Sequence, residues 1–390
     1  MNVQDKIKEM ETKRNTNHNL MDYRQWLSEA MPNHIRLQKI QVAGTNGKGS
    51  TARWLQDLLV ANDWKVGLFT SPHLESHTER IRINDQPISL QDWERIYDQY
   101  AEFFKEKEFT MFEMDTWMAI AYFLEQKVDI AIMEVGLGGR LDATTALDYV
   151  CTLITNVEMD HQEILGDSIE QITFEKSGVF KPGVVALTTE KKPQCQEVME
   201  HVAGYFQTPL GFVEMPSQQE EQGITFTWND QKLVLRQPAF QLENLALALE
   251  CTAVIGIGLK PETIQPVIDA YQHQGRYTIV RKNPLLIVDG AHNLAGIKAL
   301  CQSLDGFKGT IYFSAMKEKE VEKMIEYLKE TNNPIVWVDL DLERSYDANN
   351  LNLERMNIET CIEQLENADQ PALVCGSLFL AGKVLSNLTK

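Results

Sequence analysis

The 390-residue sequence lacks most of the features that would tie it to a membrane, a nucleic acid or an oxidising compartment. Its six cysteines lie far apart and none forms a C-x-x-C pair, so neither a disulfide framework nor a structural zinc site is implied. No apolar run reaches the roughly 18 residues that a spanning helix needs. The N-terminal stretch MNVQDKIKEMETKRN has no apolar core of a secretion signal. Positive charge is scarce: 37 Lys and Arg stand against 56 Asp and Glu, a formal net charge of −19. A field of that sign repels nucleic acid and anionic lipid, so neither is expected as a partner. An anionic small substrate remains open, because local Lys and Arg can override the overall field. No repeat recurs at a period of 20–50 residues. These absences point to a cytoplasmic, reduced protein of ordinary hydrophobic content, 43%.

The stretch KIQVAGTNGKGSTARWLQDLLVAN, residues 39–62, organises the rest. Ile40 and Val42 close a short buried strand. Gly44, Gly47 and Gly49 crowd into six residues with Lys48 and Ser50 among them, and Leu55, Leu58 and Leu59 then follow at helical spacing. A strand, a glycine-rich turn and a helix present backbone N–H groups and a helix N-terminus to phosphate. Lysine supplies a point charge for the β- and γ-phosphates, and a neighbouring hydroxyl can reach Mg²⁺. The spacing G-x-x-G-K-G-S departs from the usual P-loop by one glycine between lysine and serine.

Further along, residues 65–70 read as a strand, followed by SPHL (71–74), where Pro72 ends regular structure. ERIRIND (79–85) alternates Ile with Arg, the pattern of a solvated edge strand. Residues 90–107 read as a charged amphipathic helix, and 110–126 as an apolar helix that is simply core. VDIAIMEV (128–135) is a buried parallel-type strand ending in Glu134, where open α/β sheets bind ligands. A second strand, 150–157, ends in Asn156 and is followed by Asp160 and His161, so Glu134 and His161 can converge at the sheet edge that carries Ser50. Asp167 and Glu170 resemble a capping box. Strand 183–188, a hairpin over 224–235 and an Ala/Leu-rich helix over 241–256 complete a first α/β domain. QHQGRY (272–277) reads as a linker. Strands near 285, 310, 334 and 371 alternate with helices in a smaller α/β domain.

The runs VAGTNGKGS, SPHL with ERIRIND, EVGLGGRLDAT, MDHQEILGDSIEQITFEKSGVFKPG, QLENLALA, VDGAHN and GSLFLAGKV resemble, in order and spacing, the folylpolyglutamate synthase/dihydrofolate synthase family of the Mur ligase superfamily. The resemblance covers the chain from about Met21 onward. It implies an α/β fold with a P-loop-containing, mostly parallel sheet domain of the Mur ligase central type (1–272), a linker (273–279) and a Rossmann-like C-terminal domain (280–390). It also implies an ATP-dependent ligase that joins L-glutamate to folate or dihydropteroate through an acyl phosphate, with Mg²⁺, optionally a monovalent cation such as K⁺, and a monomeric state.

Residue by residue, the resemblance implies that Gly44, Thr45, Asn46, Gly47, Lys48, Gly49 and Ser50 cradle ATP phosphates. Ser71, Glu134 and His161 would ligate Mg²⁺ with Ser50 close by. Lys176 would be the lysine that the family carbamylates. Asn244 would contact adenine, and Arg276 and Asp289 would bring the small domain's side of the ATP site. His292 would serve the glutamate or phosphate side, and His73, Phe112 and Asp142 the pterin end. The two domains would close over ATP. Departures from the family pattern include Thr145 in place of Asn, Phe240 in place of His, Gln274 in place of Pro, Thr278 in place of Glu and Leu294 in place of Pro. They leave the acceptor open, so the competing readings are a Mur-type ligase acting on another carboxylate and a non-catalytic ATP-binding paralogue.

Overall fold

The computed structural model describes residues 2–14, 17–304 and 306–389. The chain forms two compact units, Met1–Gln237 with Gln241–Tyr271, and Pro238–Phe240 with Gln272–Lys390.

The larger unit is built on an eight-stranded sheet. Its strands are β1 (Gln38–Ala43), β2 (Val66–Phe69), β3 (Ile81–Ile83), β4 (Gln86–Pro87), β5 (Ile130–Glu134), β6 (Cys151–Ile154), β7 (Val185–Thr188) and β8 (Leu210–Phe212), in the spatial order β4-β3-β2-β5-β1-β6-β7-β8. Strands β2, β5, β1, β6, β7 and β8 run parallel, and β3 and β4 add an antiparallel hairpin at one side. From β1 the chain moves first to β2 and β5 and only later to β6 on the opposite flank. That reversal opens a crevice at the carboxyl ends of β5, β1 and β6.

Helices cover both faces, which is why the central parallel strands are buried almost end to end. They are α1 (Val3–Glu11), α2 (Leu20–Ala30), α3 (Lys48–Val60), α4 (Leu90–Glu106), α5 (Met111–Glu125), α6 (Gln162–Leu165), α7 (Ile169–Ser177), α8 (Pro193–Phe206), α9 (Phe240–Val254) and α10 (Pro261–Ala270). Along β5, Ile130 and Ile132 join the core under α3, α9 and α10, whereas Ala131 and Met133 join the aromatic core under α4 and α5. Alternation of the pleat thus assigns one strand to two cores. The sequence placed a hairpin over 224–235. The structure has β9 (Ser217–Glu220), β10 (Gly223–Trp228) and β11 (Gln231–Leu235) as a three-stranded antiparallel sheet, the polar β9 having given no apolar signal.

In the smaller unit, β12 (Thr278–Lys282), β13 (Leu285–Val288), β14 (Thr310–Phe313), β15 (Ile335–Asp339), β16 (Glu354–Asn357) and β17 (Ala372–Cys375) form a sheet in the order β12-β13-β17-β14-β15-β16. All its pairings are parallel except β12 with β13. Helices α11 (Leu294–Gln302), α12 (Val321–Glu330), α13 (Ile358–Glu366) and α14 (Leu378–Leu388) flank it. Ile287, Ile311, Phe313, Trp337 and Leu373 fill its core.

Two local expectations are corrected. The capping box before α7 is made by Ser168 and Gln171, not Asp167 and Glu170. Ser168 sits in the extended N-cap position with its hydroxyl on the N–H of Gln171, and Gln171 returns the bond. The segment 79–85 is not a solvated edge: Arg80 and Ile81 are buried, and β3 lies between β2 and β4.

Candidate active site

The phosphate-binding turn is built from backbone that only glycine accepts without strain. Gly44 has φ +135°, and a Cβ there would fall 1.9 Å from Thr155 Oγ1. Gly47 has φ +84°, forms the N-cap of α3, and would bring a Cβ to 2.3 Å from Asn244 Oδ1. The turn is pinned from β6: Thr45 N–H donates to Asn156 O at 2.8 Å, Asn46 N–H to Asn156 Oδ1 at 2.9 Å, and Thr155 Oγ1 to Asn46 O at 2.5 Å. The result is a cradle with no room for side chains, capped by the positive end of a 13-residue helix. These residues fit a triphosphate.

Two amines converge on one carbonyl of this turn. Lys48 Nζ donates to Gly44 O and to Thr45 O, each at 3.2 Å. Lys176 Nζ, from the last turn of α7, donates to Gly44 O at 3.0 Å. Lys176 is buried. Burial, and after it the charge of Lys48, pull its amine down from 10.5 to about 7, against the opposing pull of Asp160.

Glu134 ends β5 directly beside Val42 of β1, and its neighbour Val135 donates its N–H to Val42 O. Its carboxylate is buried, and Oε2 accepts the N–H of Ser71 at 3.2 Å, so the SPHL segment leaves β2 against this group. His161 stands at the N-cap of α6 with φ 53°, a left-handed conformation uncommon for a residue other than glycine. Its imidazole is part-exposed and Nε2 lies 4.0 Å from Asp160 Oδ1. Among the described residues no group of three or more His, Cys, Asp or Glu gathers as a metal cage. A hard ion such as Mg²⁺ suits that arrangement, since it binds by one or two carboxylates plus phosphate and water. Ser50 is buried in the first turn of α3.

Asn244 sits inside the protein, not at its surface. Thr51 Oγ1 donates to its Oδ1 at 3.3 Å, and its Nδ2 donates to Gln241 Oε1 at 3.1 Å, which also takes the Trp54 indole N–H at 3.1 Å. Trp54 stacks on Tyr271 at 3.5 Å between ring centroids. Asn244 therefore braces Gly47 from below. Asp142 organises the loop after β5: Oδ2 accepts the N–H groups of Gly136 (2.9 Å) and Leu137 (3.1 Å), and Oδ1 accepts Thr144 N–H (3.0 Å) and its hydroxyl (2.6 Å). Burial raises its carboxyl, and those four donors oppose the rise. The loop then docks on α7, where Arg140 pairs with Glu175 and a Cβ on Gly139 would strike Lys176 O at 2.7 Å. Phe112 packs its ring over Gly136 and 5.5 Å from Phe69. His73 accepts a hydrogen bond at Nδ1 from Arg80 Nε at 3.0 Å, and burial with the Arg80 charge lowers it from 6.5 to about 4.

In the smaller unit, Asp289 ends β13 with its carboxylate held by the N–H groups of Tyr277 (2.6 Å) and Ala291 (2.7 Å). Burial raises it, opposed first by the Arg276 charge. Arg276 NH1 donates to Gly275 O at 3.3 Å, and a Cβ on Gly290 would meet it at 2.5 Å. His292 Nδ1 is 2.8 Å from Gly290 O. That partner only accepts, so Nδ1 carries a hydrogen.

The larger unit thus gathers the glycine turn, Lys48, Lys176, Asn156 and Glu134 at one sheet edge. Sequence reasoning missed Thr155 and Thr51, whose short polar side chains carry no spacing signal. It also missed Asp115, although a carboxylate inside the apolar run MFEMDTWMAIAYF was visible.

A P-loop at the centre of a parallel sheet, with a buried lysine beside it and a smaller parallel α/β unit following in the chain, defines a Mur-type ligase. Residues 42–249 match the Mur ligase middle domain and residues 275–375 the Mur ligase, glutamate ligase domain. The chain is 33% identical over 297 residues to dihydrofolate synthase/folylpolyglutamate synthase of Buchnera aphidicola subsp. Baizongia pistaciae, covering 74% of this chain and 69% of that one. It is 28% identical to the enzyme of the same name from Bacillus subtilis, covering 90% and 91%. Among solved structures, the bifunctional folylpolyglutamate synthase/dihydrofolate synthase of Yersinia pestis complexed with AMPPNP and Mn superposes with a TM-score of 0.90 at 27% identity, covering 100% and 98% of the chains. Folylpolyglutamate synthase of Thermotoga maritima gives 0.85 at 30%, covering 100% and 97%. The chain belongs to the folylpolyglutamate synthase/dihydrofolate synthase family.

Proposed function

We propose that this protein is an ATP- and Mg²⁺-dependent ligase that adds L-glutamate to a folate, with dihydropteroate as a second acceptor. The observation that carries the reading is the pair of amines, Lys48 and Lys176, closing on Gly44 O beside the buried Glu134 carboxylate. The reaction is a charge-management problem. A folate carboxylate oxygen attacks the γ-phosphorus and ADP leaves. The glutamate amine then attacks the acyl carbon, loses a proton and displaces phosphate. Two anions must meet in line, so the site needs fixed positive charge and positioning more than a strong base. Lys48 and the N–H groups of 46–49 supply that charge at the phosphates. Glu134, Ser71 and His161 are the proposed Mg²⁺ ligands, with Ser50 close by, and the ion when bound neutralises phosphate charge.

Lys176 has an amine that burial leaves about half neutral near pH 7. That state suits the proposed carbamate, in which the nitrogen attacks CO₂ and releases a proton. Arg276 and Asp289 are assigned to ATP, His292 to the glutamate or phosphate side, and His73, Phe112 and Asp142 to the pterin side, Asp142 by shaping its loop. No helix among the described residues is long and apolar enough to cross a membrane, and all six cysteines are thiols, which suits a monomer in the cytoplasm.

The test is glutamate-dependent ADP release by the purified chain across dihydropteroate, tetrahydrofolate, folate monoglutamate and peptide-like carboxylates. Release with folates supports the proposal. Release only with peptide-like carboxylates makes the protein a Mur-type ligase of another substrate, and ATP binding without release makes it a non-catalytic paralogue. Light scattering after size exclusion decides the monomer.

A further inference from the structure

A second set of buried charges lies behind the SPHL segment, away from the phosphate turn. Asp115 is fully buried on α5, among Met114, Trp117 and Met118. Its Oδ1 is 2.6 Å from His77 Nε2, and its Oδ2 accepts from Arg80 NH1 at 3.3 Å. Arg80 Nε in turn donates to His73 within SPHL. His77 Nδ1 faces Glu11 Oε1 of α1 at 3.9 Å, and Trp93 of α4 packs on the His77 ring, centroids 6.0 Å apart. Within the same turn, Glu79 accepts the N–H groups of Leu74, Glu75 and Ser76 at 2.6–3.0 Å. Segment 71–80 is therefore tied at one end to Glu134 through Ser71 and at the other to Asp115.

We propose that His77 and Asp115 form a proton-operated clasp that sets the shape of the SPHL segment for its acceptor, His77 being a positioning residue. The charges facing the imidazole are Asp115 from α5, Glu11 from α1, Arg80 and Glu79 from its own turn, and His73 from the segment. With His77 protonated, two cations, His77 and Arg80, stand against two carboxylates, Asp115 and Glu11. The proton leaves from Nδ1, on the Glu11 side, because Nε2–H is held by Asp115; the buried Asp115 then keeps a neutral hydrogen bond from His77 and the charge of Arg80, which is drawn away from His73. A buried carboxylate that loses the charge of one of its two cationic partners is destabilised, and the backbone it holds loosens. Burial by itself lowers His77, but Asp115 and then Glu11 outweigh it and raise the imidazole above its ordinary value, which favours the closed clasp.

The role at the acceptor rests on the proposed folate ligation; the clasp itself does not. The test uses the full-length protein and three variants, His77→Gln, Asp115→Asn and Glu11→Gln. Two readouts are followed from about pH 6 to 9: the His77 ring titration by NMR, and KM for folate and for ATP. The ring is expected to titrate above 6.5, and folate KM to rise about tenfold across that titration while kcat and ATP KM stay within about twofold. His77→Gln should give a high, flat folate KM. Asp115→Asn should move the ring below 6.5; if it fails to fold, Glu11→Gln on a half-exposed side chain should lower the titration by a smaller step. A ring titrating at or below 6.5 in the parent, or a folate KM profile unchanged in His77→Gln, overturns the clasp. Should the parent turn over no folate, the functional reading falls, and amide exchange across 71–80 decides the clasp: faster exchange as His77 deprotonates supports it, and exchange indifferent to that step refutes it.

Discussion

Replacing Lys176 by methionine should stabilise the larger unit while abolishing turnover. The amine is buried and falls from 10.5 to about 7 in the folded protein. A lysine lowered on folding destabilises wherever the unfolded chain holds more protons than the native one. The penalty is complete below about pH 7, shrinks between about 7 and 10.5, and vanishes above. At about 1.4 kcal/mol per pH unit, the gap corresponds to roughly 4–5 kcal/mol near pH 7. Methionine has nearly the same length and no charge to desolvate, and it forfeits the bond to Gly44 O, about 1 kcal/mol. A net gain of about 2–4 kcal/mol at pH 7 is expected, falling by about 2 kcal/mol at pH 9. Denaturant unfolding at both pH values, in CO₂-depleted, nucleotide-free buffer, measures it, and glutamate-dependent ADP release measures the loss of function. A variant less stable than the parent at pH 7, or one whose advantage is the same at pH 7 and 9, would refute the idea that the site holds a costly neutral amine.

Other perturbations probe the cradle and its supports. Gly44→Ala should weaken ATP binding at least tenfold, because strain of about 1–3 kcal/mol adds to a Cβ lying 1.9 Å from Thr155 Oγ1; calorimetric titration with near-parent affinity would contradict this. Lys48→Ala should lower kcat by two or more orders of magnitude with unchanged circular dichroism, since it removes phosphate charge and not core, and near-normal kcat would dismiss its role. Asn244→Ala discriminates between a base reader and a brace: the structure, with its amide on Thr51 and Gln241, predicts that ATP and GTP affinities fall together. Asp142→Asn should cost about 1–3 kcal/mol and speed proteolysis at 136–142, because two of its four donors then meet an NH2 group that cannot accept.

What was legible in the sequence, and what was not, follows from the range of the physics involved. The apolar strands at the centre of both sheets and helix α3 came through because apolar periodicity is written locally, as in VDIAIMEV and in Leu55, Leu58 and Leu59 of α3. The glycine turn was equally plain, since positive φ and close approach restrict the residue type at Gly44 and Gly47. The α7 cap slipped by one residue because Asp167 and Ser168 are both good caps, and only the extended backbone at Ser168 chooses between them. Short strands such as β9 and β16 are mostly polar and exposed, and their pairing partners, not their composition, make them strands.

The partners of Asp115 were beyond reach for a stronger reason. His77 and Arg80 lie 38 and 35 residues away along the chain, and nothing in ERIRIND distinguishes an arginine that turns inward from one in solvent. Alternation of Ile and Arg assigns faces of a strand, but Arg80 ends the 3-10 turn before β3 and escapes that rule. The same logic governs the lysines. Lys48 and Lys176 are 128 residues apart in sequence, yet both amines end on the carbonyl oxygen of Gly44. Lys176 is only partly charged near pH 7, and two amines crowded on one neutral oxygen make a poor arrangement by themselves. It becomes favourable when an anion of high charge lies over the turn, which is the condition under which the larger unit's architecture makes chemical sense.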